Sequence, residues 1–118
     1  MTSQARRSNC PIACALDLVG DRWTLLVLRD MLLLGKTRFD EFLASPEGIA
    51  TNILSDRLAR LEEEKLVERS RDPDDGRRVI YRPTERGKSF VPVLTAMRDW
   101  GLKNVEGTRV FAPPRAKR

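Results

Sequence analysis

A mainly α-helical domain with one small β-hairpin is the fold class this 118-residue sequence predicts, and three observations predict it. Apolar residues recur at helical spacing, as in Trp23, Leu26, Val27, Met31 and Leu34, and again in Leu54, Leu58 and Leu61. One segment, Asp72-Pro73-Asp74-Asp75-Gly76, places turn-forming residues between two short strand-like runs. With 41% hydrophobic and 33% charged residues, the chain has material for one compact core and shows no composition shift that would mark a second domain.

Residues 1–9 are polar and read as a mobile arm. Pro11 suits the first position of a helix, residues 13–19 continue it, and Gly20 stops it. Asp21 caps the next helix, whose apolar face is widened by Leu25, Leu28 and Leu32, so that it becomes the central buried element. Gly35 ends it. Thr37 is the expected cap of a short third helix, with Asp40 three residues later and Phe39, Phe42 and Leu43 as its apolar face.

After a loop with Pro46 and Gly48, a longer helix begins at Ala50 or Thr51 and runs to Glu64. Its leucines face inward, and Asn52, Ser55, Asp56, Ala59 and Glu63 face outward. Residues 66–71 and 77–82 are the expected strands of the hairpin, in which proline presets one turn angle and glycine accepts a positive one. Thr84 caps a final helix carrying Phe90, Val91, Leu94, Met97 and Trp100, with Gly87 and Pro92 weakening or bending its first half. The domain is therefore set at residues 10–104, and residues 105–118 read as a basic mobile tail.

Composition also narrows function. The chain has no histidine and only two cysteines, so it lacks the commonest general base and cannot complete a four-ligand zinc site from cysteine and histidine. No phosphate-binding glycine loop or nucleophile elbow is present, so neither an enzyme nor a cofactor is expected. The longest apolar run, residues 25–34, is interrupted by Arg29 and Asp30 and falls short of the roughly 20 residues that span a bilayer. No signal-peptide pattern opens the chain, which makes the cytoplasm the expected compartment. A net charge of +5 favours anionic partners.

A short helix, a turn, a second helix with a polar outer face and then a basic hairpin is the plan of a winged helix-turn-helix. A major groove roughly 12 Å wide admits an α-helix, so double-stranded DNA is the expected partner. Thr51, Asn52, Ser55 and Asp56 are the candidate base readers. Arg57 and Arg60 flank them, and Arg77 and Arg78 on the wing are placed to meet phosphate or the minor groove. Arg38, at the start of the short helix, completes the candidate DNA-binding set. Each arginine has a structural alternative, since Arg57 and Arg60 can instead pair with Asp56 or Glu64 along their own helix.

From Cys10 to Gly101 the sequence resembles the HxlR-type branch of the MarR-like winged-helix transcription regulators. The likeness is carried by Cys10-Pro11-Ile12, by residues 20–26 (Gly-Asp-Arg-Trp-Thr-Leu-Leu), by Arg38-Phe39-Asp40-Glu41-Phe42 and by residues 48–58. It continues through Leu66-Val67, Tyr81, Thr84-Glu85-Arg86-Gly87 and Trp100-Gly101. Lys65 departs from the pattern where related sequences often have glycine, which calls for a non-glycine residue at positive φ.

The resemblance implies a bacterial homodimeric regulator, a repressor by family expectation, that reads a near-palindromic operator. In such proteins the first and last helices form the dimer interface, which nominates Leu16, Leu94, Met97 and Trp100. The alternative is that this face completes the core of a single chain. Cys10 occupies the place of a cysteine through which some similar regulators sense oxidants, and an oxidant or a small molecule is the candidate signal. Cys14 reads as a small buried hydrophobe. The competing function is a winged-helix protein-interaction module without specific DNA binding.

Overall fold

The computed structural model describes residues 8–110. Arg6 and Arg7 of the expected arm, and Phe111 and the basic residues at 115–118 of the expected tail, lie outside the described residues. The element order is α1 (Pro11–Val19), α2 (Arg22–Leu32), α3 (Phe39–Leu43), α4 (Thr51–Glu63), β1 (Val67–Asp72), β2 (Asp75–Pro83), α5 (Glu85–Lys88) and α6 (Val91–Asn104). The two strands form one antiparallel hairpin.

Local chemistry explains most boundaries. Pro11 occupies the first turn of α1, where its missing N–H costs nothing. The Asp21 carboxylate caps α2 by accepting from the Thr24 N–H at 3.2 Å. Thr84 caps α5 in the same way through Gly87 N–H. The third helix starts one residue later than expected. Thr37 is drawn out of the cap because its carbonyl accepts from the Tyr81 N–H of β2 at 2.8 Å. Arg38 becomes the N-cap residue, and Glu41 Oε1 accepts from both the Thr37 and Arg38 N–H groups.

Two further expectations are corrected. The strands reach Asp72 and Asp75, so the turn is Pro73-Asp74 alone, and Gly76 lies within β2 without a positive φ. Asp72 Oδ1 accepts from Asp74 N–H and Arg71 Nη1 donates to the Gly76 carbonyl, which together replace the glycine as the turn's support. The expected final helix divides into α5 and α6. Pro92 sits at the start of α6, where a residue without N–H is tolerated, and the chain breaks at Ser89 and Phe90 just before it.

At the end of α4, Leu66 N–H reaches the Leu61 carbonyl and Lys65 N–H the Glu62 carbonyl, the bond pair of a Schellman closure. Lys65 adopts φ 64°, the positive value expected at that position, and no other non-glycine residue among those described does so. Lys65→Gly is expected to stabilise the protein by about 1 kcal/mol, seen as a thermal midpoint roughly 4 °C higher, because glycine adopts this conformation without strain. An unchanged or lower midpoint would sink that expectation.

The core lies where α2 meets α4, with Val27, Leu28 and Met31 against Leu54, Leu58 and Leu61, closed by Phe42, Val67 and Leu94. Phe42, Leu28 and Leu54 are almost fully enclosed. The apolar residues of α4 therefore serve the core, leaving its other side to solvent.

Candidate nucleic-acid interface

The segment α3, turn, α4 presents a helix-turn-helix, and the β1–β2 hairpin beside it is the wing. Thr51, Asn52, Ser55 and Asp56 are all exposed on the outer side of the first turns of α4, as their spacing predicts. Ala50 is the N-cap and supplies no side-chain oxygen, so the positive end of the helix is not occupied by its own cap. Arg60 is exposed on the same helix one turn further on.

Arg57 and Arg38 are placed differently from the other candidates. Arg57 Nε donates to Asp21 Oδ2 at 2.9 Å and Nη1 to Asp56 Oδ2 at 2.6 Å, with its side chain only 19% exposed. Arg38 Nη2 meets the buried carboxylate of Asp72 at 2.6 Å and ties α3 to the wing. Arg77 and Arg78 stand on the outside of the wing, and the Arg77 side chain is 93% exposed. Their pairs with Asp75 are long, at 3.4 and 3.6 Å, and exposed pairs of that kind contribute little.

Sequence reasoning missed the buried Asp30. Its carboxylate accepts from Arg29 and from the Ser45 hydroxyl, with Lys36 Nζ at 3.6 Å. Arg29 also grips Glu47 through two bonds of 2.8 and 2.9 Å. This cluster pins the turn between α3 and α4 to the end of α2. The only sequence signal for it is the pair of charges interrupting an apolar run.

Burial acts to raise the Asp21 carboxyl, but hydrogen bonds from Thr24 and Arg57 outweigh it and lower the pKa from 3.8 to about 2. The Arg29 bonds hold Glu47 below its usual range against burial, and the Asp74 N–H, ahead of Arg38, does so for Asp72. These contributions are complete above the ordinary carboxylate range and are lost as pH falls through the folded-state values, between about 4 and about 2 for Asp21. Thermal midpoints taken from about pH 5 to about pH 2 are expected to fall, and to fall less steeply in Asp21→Asn. Equal slopes for the two proteins would disprove the role given to Asp21.

The first and last helices hold the remaining candidates. Leu94 is 6% exposed and belongs to the core, whereas Leu16, Met97 and Trp100 are 58%, 50% and 65% exposed. Cys10 is the exposed N-cap residue of α1, and Cys14 Sγ donates to the Ser8 carbonyl at 3.4 Å. Both thiols are free. A hollow of about 10 Å³ lies between α2 and the α3–α4 turn, beside Trp23 and Phe42, and is too small for an organic ligand. Among the described residues no helix is long and apolar enough to cross a membrane.

Fold and site together define a winged helix-turn-helix protein. Residues 18–109 match the HxlR-like helix-turn-helix family model. An uncharacterized HTH-type transcriptional regulator of Synechocystis sp. is 38% identical over 92 residues, covering 78% of this chain and 67% of that protein. The structure of PA1607, a candidate transcription factor, superposes with a TM-score of 0.77 at 37% identity, covering 95% of this chain and 73% of that one. The oxidized form of the redox regulator HypR gives 0.72 at 30% identity, covering 82% and 99%. The chain belongs to the HxlR-like helix-turn-helix family, and its class of function is that of a DNA-binding transcription regulator.

Proposed function

We propose that the protein is a cytoplasmic homodimeric repressor that inserts α4 into the major groove of a near-palindromic operator and lays its wing along the flanking backbone. The observation that carries this reading is the exposed polar face of Thr51, Asn52 and Ser55 at the start of α4, opposite a fully buried leucine ridge. Charge supports it as well: the chain carries a net +5, and Arg60, Arg77 and Arg78 stand exposed on α4 and the wing, where a phosphate backbone would run.

Homodimerisation is supported by α1, a nearly all-apolar helix in which Val19 alone is buried. A twofold dimer would set two α4 helices on half-sites about 10 base pairs apart. Cys10, exposed at the edge of that helix, is the residue proposed to respond to oxidant, a reading the likeness to HypR supports.

The test is binding to the DNA upstream of the protein's own gene, to scrambled DNA and to a random-sequence pool, across a salt series with and without diamide. Selective, salt-dependent binding supports the regulator, and its loss with diamide in the native protein but not in Cys10→Ser supports the sensor. Failure to bind any duplex at low salt would overturn the reading in favour of an interaction module.

A further inference from the structure

We propose that Asp21 and Arg57 form a clamp that sets the pose of the recognition helix, making Arg57 a positioning residue for sequence discrimination and not a contact to DNA. This rests on the DNA-binding reading above.

Arg57 lies midway along α4, between the exposed Ser55 and Asp56 and the buried Leu58. Both of its bonds go to carboxylates of the same chain, and moving the guanidinium to a phosphate would strip a partly buried carboxylate of its cation. Asp21 is a fixed post. Its two oxygens already hold the Thr24 N–H and hydroxyl, so it cannot follow Arg57 without uncapping α2.

The buried side chains of α4 are all leucine, and its other ion pair to a neighbouring element, Glu62 to Arg69 of β1, is long at 3.9 Å and exposed. Leu54, Leu58 and Leu61 set how deep the helix packs, but ridges of leucine in grooves tolerate some 15–20° of scatter in crossing angle. Base readers at Asn52 and Ser55 need placement within about 0.5 Å and 10–20°. A directional charge-assisted bond to a fixed post at mid-helix supplies that restraint, while Arg29, Asp30, Ser45 and Glu47 restrain the entrance to the helix.

The two roles of Arg57 separate in a salt series. A phosphate contact contributes to every duplex and to the salt slope, whereas a positioning residue affects the preferred duplex alone. Arg57→Gln, Asp21→Asn and the double variant would be measured against the duplex that the unaltered protein enriches from a random pool and against a scrambled duplex. Asparagine keeps the capping ability of Asp21.

Affinity for the preferred duplex is expected to fall at least about tenfold in each variant, with scrambled DNA bound within about twofold and the salt slope unchanged. The double variant is expected to be no worse than either single, because both remove the same bond. A salt slope lower by about one in Arg57→Gln, with equal loss on both duplexes and a neutral Asp21→Asn, would make Arg57 a phosphate contact and overturn the clamp. Unaltered discrimination in Arg57→Gln would also overturn it. That variant leaves the α2 cap intact, so a poorly folded Asp21→Asn does not spoil the test. Absence of any DNA complex with the unaltered protein overturns the DNA-binding reading itself, a result distinct from failure of the clamp.

Discussion

Replacing Trp100 with glutamate is expected to convert the proposed homodimer to a monomer and to weaken its binding to the proposed palindromic duplex at least about a hundredfold. Val93, Met97 and Trp100 fall on one side of α6 and are 47%, 50% and 65% exposed, while Ile12 and Leu16 of α1 are 72% and 58% exposed. Among the described residues no other element buries these side chains. A tryptophan covers roughly 150–250 Å², of which Trp100 still exposes 65%, so burying the remainder is worth about 2–4 kcal/mol, and a twofold interface counts it twice. A carboxylate in the same place must be desolvated without a partner.

Trp100 is outside the core, so the fold of each chain should survive the change. Sedimentation at micromolar concentration, together with circular dichroism, separates loss of assembly from loss of fold. A variant that still sediments as a dimer would show that the interface lies elsewhere.

The second large effect is expected at Gly87. A methyl group there would lie 2.1 Å from the Leu66 carbonyl oxygen and 3.1 Å from its carbon. Neither atom can retreat freely, because Leu66 accepts from Thr84 N–H at 3.0 Å and Lys65 accepts from the Thr84 hydroxyl at 2.6 Å. Gly87→Ala must push α5 away from the start of β1, with a cost of about 3 kcal/mol and a thermal midpoint roughly 10 °C lower. Glycine is required here by close approach and not by an unusual backbone angle, since Gly87 has no positive φ. A midpoint within about 2 °C of the native protein would show that α5 does not pack as described.

How much of this was legible in the sequence depended on the reach of each interaction. Asp21 and Thr84 as caps, the stop at Gly20 and the inward leucines of α4 are set by neighbours within about one helical turn, whereas the positive φ of Lys65 was implied by the resemblance to sequences with glycine there. The outward positions of Thr51, Asn52, Ser55 and Asp56 follow from the same periodicity. Local reasoning erred at Thr37 because a distant group intervened, and at the wing turn because neighbouring side chains offered an alternative to glycine. Thr37 lost its capping role to a backbone bond from Tyr81, and the glycine expected to shape the wing turn was replaced by bonds from Asp72 and Arg71.

The arginines show the limit most clearly. Nothing in the spacing of Arg38, Arg57, Arg60 and Arg77 separates a groove contact from an internal tie, because all four fit an exposed basic surface equally well. Arg57 also meets its neighbour Asp56, but Asp21 and Asp72, which tie Arg57 and Arg38 to other elements, are 36 and 34 residues away, and only folding brings those carboxylates within 3 Å. The same holds for Leu94 and Trp100, both apolar and both on α6, of which one is buried and the other exposed. The sequence by itself determined most of the elements, the caps at Asp21 and Thr84 and the polar face of the recognition helix, since these depend on short-range bonds and periodicity. Tertiary structure alone decided which charges face solvent and which bind the helices to one another, because a salt bridge depends on distance in space and leaves no local pattern.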